Sequence, residues 1–254
     1  MLLSLAPACS YPPCDGASLR VISLAEAICA AGHAIMVIGH NFTLRLAPGS
    51  KPVMTSFRLK WRSKRSAAIR ALCLGGHYNE LKHRNRAWER IVLDHITALQ
   101  PGVIIANHLW MTSIFNRLPA NPKLMICDTH NSDWQFYNNY SAGSQNPLIR
   151  RIARAAQTRC DELMRLLGPN TVLIHIAAND AADHQTRRPD LDHIVVPCCV
   201  WDTTIRTDHP NYGAEPKQLL FCGSLSNAMN SDALTYFAHK FWVGVHRCSS
   251  SCFA

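Results

Sequence analysis

Short apolar runs recur along most of the chain and are separated by polar or amphipathic segments. Nearly every position is apolar within residues 1–7, 33–39, 101–106, 123–127, 171–177 and 194–200. Runs without alternation are typical of strands buried on both faces of a parallel sheet. The pattern therefore predicts a series of short buried strands.

Several segments between these strands have apolar residues at helical spacing. Apolar Leu19, Ile22, Ala25 and Cys29 share one face of a helix predicted over 18–31, and Gly32 ends it. Further helices are predicted over 86–100 and 147–168, whereas residues 40–80 follow no clear period. Strands that alternate with helices predict an α/β fold, a Rossmann-like doubly wound parallel sheet.

The charge balance favours an anionic partner. Lys and Arg number 26 against 17 Asp and Glu, a net charge of +9. The densest basic cluster is residues 58–65, RLKWRSKR. It is either a solvated loop or helix start, or a surface for anionic lipid headgroups with Trp61 at the interface. We expect no nucleic-acid partner, because no recognition motif accompanies the cluster.

Cysteine usage and hydropathy bear on the cellular compartment. The 11 cysteines have no regular spacing, the first residues lack a basic signal region, and no apolar run is long enough to span a membrane. We therefore expect reduced thiols in a cytoplasmic protein, or in one that lies peripherally at the inner face of the membrane. A zinc site is conceivable, but metal-binding spacings are absent and we expect no metal; its ligands would be Cys127, His130, Cys198 and Cys199.

Polar side chains follow two of the predicted strands. Asn107 and His108 end one strand, and Asp128, His130 and Asn131 end another. Ligands of doubly wound sheets bind beyond the carboxyl ends of the strands, where a neutral histidine can hydrogen-bond a hydroxyl or assist proton transfer. The same residues also fit ordinary loops that begin with polar side chains.

Two turns have the composition of anion-binding turns. Gly16 precedes a helix whose first N–H groups are free, and Gly223 and Ser224 stand between a predicted strand and another helix. Neither turn carries a P-loop lysine or a full dinucleotide fingerprint. Both also fit simple strand-to-helix turns.

Two longer segments carry a family resemblance. YPPCDGASLRVISLAEAICAAGHAIMVIG resembles the amino-terminal signature of the glycosyltransferase family 4-like group of GT-B enzymes, and LLFCGSLSNAMNSDALTYFAHKFW resembles the opening of that group's carboxy-terminal domain. GVIIANHLW and MICDTHN are similar to less specific strands of the same group. The resemblance implies an acceptor-side Rossmann-like domain at 1–201, a linker at 202–217, the start of a donor-binding domain at 218–242 and an unrelated tail at 243–254.

The resemblance also implies a reaction. It is the transfer of a sugar from a nucleotide-sugar donor to a polysaccharide, lipid-linked or other glycan acceptor, with no metal or other cofactor. Gly16, Ala17, Gly223 and Ser224 would contact the donor diphosphate, and His130 would lie near the reacting carbon. The acceptor would meet the remaining polar residues at the strand ends, which are Asn107, His108, Asp128 and Asn131.

The resemblance stops at residue 242. The donor-site segments that follow in the family, including a pair of glutamates, are not found after it, so we expect this chain alone to be inactive or impaired. The alternative is a non-catalytic module that binds an anionic membrane or a partner protein. A nicotinamide-dependent oxidoreductase is a weaker alternative, because the glycine fingerprint is missing.

Overall fold

The computed structural model describes residues 1–118, 122–198, 221 and 228–242. The chain divides into two compact units, Met1–Trp201 and Asp202–Ala254. The described part of the first unit contains a sheet with helices packed against it. The described part of the second unit is mainly one helical segment.

The first unit is built on an eight-stranded sheet of order β4-β3-β2-β1-β5-β6-β7-β8. Its strands are β1 Leu2–Leu5, β2 Ile35–Ile38, β3 Phe42–Leu46, β4 Val53–Ser56, β5 Val103–Asn107, β6 Leu124–Asp128, β7 Thr171–His175 and β8 Asp192–Val195. Neighbours from β2 to β8 in this order pair in parallel, as the apolar runs predict. The run at 194–200 is the exception, because β8 covers only its first two positions and is mostly exposed. The α/β class is therefore confirmed, and the sheet is consistent with a Rossmann-like fold.

The sheet has a switch point between β1 and β5. The chain leaves β1 toward β2 on one side, and β5 later pairs with the other side of β1. In doubly wound sheets, ligands bind beyond the carboxyl ends of the strands at such a switch point. Strands β3 and β4 lie in the stretch for which the sequence predicts no structure, and they extend the sheet as antiparallel neighbours of β2.

Helices connect most of the parallel strands. They are α1 Gly16–Ala30, α2 Lys64–Leu74, α3 Tyr78–His83, α4 Arg86–Leu99, α5 Asp133–Gly143, α6 Pro147–Leu166 and α7 Ala178–Arg187, with a 3-10 helical segment at Leu109–Arg117. The helices predicted over 18–31, 86–100 and 147–168 correspond to α1, α4 and α6. Their starts are capped by the side chains of Asp15, Asn85 and Asn146, each of which accepts a backbone N–H bond.

Period-two alternation in the central strands separates two hydrophobic cores. Leu3 and Ile104 belong to the core that also contains buried residues of α4 and α6. Val37 and Ile105 belong to the other core, which contains buried residues of α1. Because successive side chains of a strand point to opposite faces, the two cores lie on the two sides of the sheet.

The inner face of α1 differs from the predicted apolar stripe. Leu19 is 44% exposed, whereas Ser18, Arg20 and Val21 are buried. The stripe prediction is confirmed for Ile22 and Ala25 and is wrong for Leu19, because it ranks residues by hydropathy alone. A charged residue can replace an apolar one on an inner helix face when a buried partner neutralises it, and Arg20 has such a partner.

The second unit contributes α8, Ala228–Phe237, which continues as a π-helical turn through Ala238–Trp242. A helix in this place is expected from the sequence after the Gly-Ser turn. Only Phe221 is described of the strand expected before that turn, and it is exposed and lies in no strand. The linker over 202–217 and the tail over 243–254 lie outside the described residues. Among the residues that the structure describes, no helix is long and apolar enough to cross a membrane.

Candidate functional site

A buried ion pair lies at the carboxyl edge of the sheet, between α1 and the end of β6. Arg20 Nε donates to Asp128 Oδ2 at 2.8 Å, and Arg20 Nη2 donates to Asp128 Oδ1 at 2.9 Å. The two side chains are only 4% and 0% exposed. This bidentate contact is a strong, charge-assisted arrangement of a guanidinium and a carboxylate. Arg20 was not among the residues predicted from the sequence.

Arg20 also connects α1 to the segment after β8. Its Nη1 donates to the carbonyl oxygen of Val196 at 2.8 Å. The backbone N–H of Val196 in turn donates to the His175 carbonyl at the end of β7. One guanidinium therefore joins the carboxyl ends of β6 and β8, which lie on either side of β7.

Burial and ion pairing act in opposite directions on Asp128. Burial raises the pKa of Asp128, and the hydrogen bonds and charge of Arg20 oppose that increase. Removal of the guanidinium would leave burial as the main influence on this carboxyl. The ionised state of Asp128 therefore depends on Arg20.

Two histidines lie beside this ion pair, with their rings close together. The ring centroids of His108 and His130 are 4.0 Å apart. Both residues have a positive φ, 76° and 54°, in the loops that follow β5 and β6. His130 Nε2 lies 3.5 Å from Asp128 Oδ2 but is buried without a hydrogen-bond partner. His130 therefore keeps one ring nitrogen uncommitted at this edge.

Both histidines are neutral at neutral pH. Burial, followed by the charge of Arg20, lowers the pKa of His130 to about 4. Burial and the neighbouring His130 lower the pKa of His108 well below its usual value. A neutral imidazole has one donor and one acceptor nitrogen. The pair is therefore suited to hydrogen-bonding a polar, uncharged group.

The other residues assigned to the acceptor differ in their availability. The Asn107 side chain is buried and donates to Ser4 Oγ at 2.9 Å and to the Leu5 carbonyl at 3.1 Å, so it ties β5 to β1. Asp128 is committed to Arg20. Asn131 is exposed and follows His130 directly. Of these three residues, only Asn131 presents an exposed side chain.

Gly16 and Ala17 form the first turn of α1, after the loop that follows β1. A Cβ placed on Gly16 would meet no atom within 4 Å, so the chain itself leaves room for a ligand here. The Asp15 carboxylate caps the helix by accepting the Ser18 N–H at 2.7 Å. The negative charge of Asp15 lies close enough to both rings to raise the pKa of His108 and of His130. Burial lowers both pKa values by more than Asp15 raises them. An anion bound at this helix end would therefore also meet the charge of Asp15.

A chain of hydrogen bonds behind the site fixes the ends of β6, β7 and β8. Since a carbonyl only accepts, His193 Nε2 donates to the Arg188 carbonyl at 2.9 Å. The other His193 nitrogen, Nδ1, then accepts a hydrogen bond from His175 Nε2 at 3.0 Å. His175 Nδ1 is left to accept from Thr129 Oγ1 at 3.0 Å, and the single proton of that hydroxyl is shared with the Ile174 carbonyl at 3.2 Å. Sequence reasoning missed this chain because its members lie on β7, on β8 and in the loop after β6.

Several sequence-based assignments cannot be placed. Gly223 and Ser224, the second pair assigned to the donor diphosphate, lie outside the described residues, as does Cys199 of the conceivable zinc site. Cys198 is exposed and its Sγ lies 3.9 Å from Arg20 Nη1. The seven cysteines of the described segments are all free thiols, as expected from the sequence.

The basic cluster at 58–65 lies before α2 and in its first turn, and it is only partly free. Trp61 Nε1 donates to Asn41 Oδ1 at 3.0 Å, and its ring stacks on His40 with centroids 4.3 Å apart. The indole is thus held against the protein. Arg58, Lys60, Lys64 and Arg65 are exposed.

Comparisons with known proteins do not place the chain in a family. No protein-family model matches it, and no curated protein matches it significantly. The case for a function therefore depends on the residues described above.

Proposed function

We propose that the chain is the acceptor-side part of a GT-B glycosyltransferase of the family 4-like group, which moves a sugar from a nucleotide-sugar donor to a glycan or lipid-linked acceptor. The sequence resemblance supports this proposal, and so does the mostly parallel sheet with its switch point between β1 and β5. The observation that carries it is the pair of neutral histidines at the carboxyl edge of that sheet. Neutral hydrogen-bonding groups in a strand-end crevice suit a sugar ring.

His130 would contact the transferred sugar near its reacting carbon. Glycosyl transfer passes through an oxocarbenium-like transition state, in which this carbon gains positive charge. A protonated histidine or an unpaired arginine beside it would oppose that charge. In this site the imidazole is neutral and Asp128 neutralises Arg20. His130 would therefore hydrogen-bond a sugar hydroxyl rather than supply a proton.

The diphosphate of the donor would approach the first turn of α1. The N–H groups of Gly16 and Ala17 have no partner in the described part of the chain, and a helix N-terminus favours an anion. Asp15 opposes this attraction, so the first turn alone would hold a diphosphate weakly. The resemblance assigns Gly223 and Ser224 to a diphosphate as well, and both lie outside the described residues.

Nuclear magnetic resonance of the histidine side chains tests the proposal. We would titrate the ¹⁵N-labelled chain with UDP-glucose, UDP-N-acetylglucosamine and GDP-mannose, and follow the ring signals of His108 and His130. At least one donor should shift both signals, with no change at His33, which is exposed in the turn before β2. Binding is the primary readout because it reports on the two histidines directly, whether or not a transfer is completed.

A matched pair of variants tests the role of His130. His130→Ala should weaken binding of the responding donor and lower any transfer by about 10²-fold or more, a typical cost of losing a transition-state hydrogen bond. His33→Ala should change neither. If none of the three donors shifts the His108 and His130 signals, the proposal is refuted.

The second candidate is docking on an anionic membrane through the basic cluster. The structure gathers further cations there, because Arg70, Arg84 and Arg86 act together with burial to lower the pKa of Arg62. Such a surface attracts acidic lipid within about a Debye length. The positive charge at this surface is therefore larger than the charge of residues 58–65 alone.

Vesicle co-sedimentation tests this second candidate. Lys60→Gln/Arg65→Gln should reduce binding to vesicles that contain phosphatidylserine. The control Arg150→Gln/Arg151→Gln removes the same charge from exposed positions of α6. Equal losses in the two double variants, or equal binding to vesicles of pure phosphatidylcholine, would rule out a specific basic surface.

A further inference from the structure

Three potential metal ligands meet in the interior, away from the histidine pair. They are His77, which precedes α3, Asp133 at the start of α5, and Cys160 on α6. One ligand atom from each residue lies within 4.8 Å of the other two. The three residues are at most 9% exposed. They are far apart in sequence, so no spacing motif announces the cluster.

Two of these ligand atoms have no partner. His77 Nε2 and Asp133 Oδ2 are both buried without a hydrogen bond. Buried polar atoms are normally paired, and an unpaired one calls for an unseen proton, water or ion. A free thiol alone would count as a small apolar side chain. The orphaned nitrogen and oxygen beside it are what point to a ligand.

The backbone directs His77 into this place. Gly75 and Gly76 both have a positive φ, 71° and 96°, and produce the sharp turn between α2 and α3. The imidazole then lies edge-on to the ring of Tyr137, with centroids 5.0 Å apart. His77 Nδ1 receives a long 3.4 Å contact from the Glu80 N–H, so we assign Nε2, which has no partner, to the cluster.

We propose that His77, Asp133 and Cys160 bind one zinc ion that joins the α2–α3 turn to α5 and α6. Imidazole nitrogen, thiolate sulfur and carboxylate oxygen are the usual ligands of zinc, at about 2.0–2.3 Å. Tetrahedral ligands at such bond lengths lie about 3.5 Å apart, so small side-chain adjustments suffice. Water would fill the fourth position. This site is independent of the proposed glycosyl transfer, and it departs from the sequence-based expectation of no metal.

Charge and protons balance in this site. Zinc carries two positive charges, and the thiolate of Cys160 and the carboxylate of Asp133 carry one negative charge each. Binding releases the thiol proton, and also the Asp133 proton where that carboxyl is protonated. The imidazole proton moves to Nδ1, and the long contact from Glu80 is given up. Zinc affinity should therefore increase with pH.

Metal analysis of the full chain tests the site. We would express the chain with zinc in the medium, so that the ligands meet the metal during folding, and measure zinc by mass spectrometry after washing with a mild chelator. The expected content is about one zinc per chain. Cys160→Ala should lose it. Cys9→Ala should retain it, because Cys9 is also a buried thiol but lies in the core on the other face of the sheet.

Cobalt provides a second readout that needs no variant. The unaltered chain, refolded with Co²⁺, should show a thiolate-to-cobalt charge-transfer band in the near ultraviolet and visible bands typical of tetrahedral cobalt. Asp133→Asn should weaken zinc retention at least 10-fold while far-ultraviolet circular dichroism reports an intact fold. Zinc-free protein without a cobalt–thiolate band, or equal zinc in Cys160→Ala and Cys9→Ala, would overturn the proposal.

Discussion

Replacing Arg20 with methionine should destabilise the chain and change the charge state of the site. Methionine keeps much of the side-chain volume but removes every donor to Asp128. Removing one partner of a buried ion pair typically costs about 3–5 kcal/mol, because the remaining charge stays buried without compensation. Arg20 and Asp128 are 4% and 0% exposed, so little solvent can relieve that cost.

The same change should raise the pKa of His130. The charge of Arg20 lowers the pKa of His130, second only to burial, and the variant removes that charge. Burial remains, so the pKa of His130 should rise above about 4 but stay below its ordinary value.

Urea unfolding and histidine titration by nuclear magnetic resonance measure the two effects. Arg150→Met, at an exposed position of α6, is the control and should change stability by no more than about 0.5 kcal/mol. Arg20→Met/Asp128→Asn should cost less than the sum of the two single changes, since the orphaned charge is gone. A loss below about 1 kcal/mol in Arg20→Met, with an unchanged pKa of His130, would refute the reasoning.

Two further predictions concern stability. Acid should destabilise the fold, because burial holds the pKa of four histidines at about 3 to 4 whereas the unfolded chain takes up protons near 6.5; these are His77, His83, His130 and His175. Each costs about 1.4 kcal/mol at about pH 5.5. Asp133, whose pKa is raised to about 7 by burial, acts in the opposite direction but is a single group. The urea midpoint should therefore fall between about pH 7.5 and pH 5.5, and a constant or rising midpoint would contradict the burial of neutral histidines. Leu163→Ala, at a fully buried position of α6, should cost about 2–5 kcal/mol in the same assay. Leu166→Ala, on the same helix but 52% exposed, should cost far less, and equal losses would show that α6 does not pack by this face.

Periodicity predicted most of the sheet because local sequence and burial agree there. The runs around Ile105 and Leu173 are apolar at successive positions since both faces of these strands are covered. The antiparallel pair β3 and β4 was not predicted. All four residues of β4 are exposed, so no core selects an apolar pattern in that strand.

The polar strand ends predicted part of the candidate site. His108 and His130 were predicted to share the carboxyl edge, and their rings are in contact. Arg20 was missed because a lone arginine in a helix is usually exposed. Its role depends on Asp128, which is 108 positions away in the chain.

The sequence by itself determined most of the parallel strands, the longest helices and the strand ends that carry polar groups. These features depend on residues close together in the chain, through hydrogen-bond periodicity and side-chain burial. Only the tertiary structure decided which distant groups meet, namely Arg20 with Asp128, and His77 with Asp133 and Cys160. Such contacts depend on the sheet order and helix packing that bring distant segments together, and burial away from water then decides the charge that each group carries.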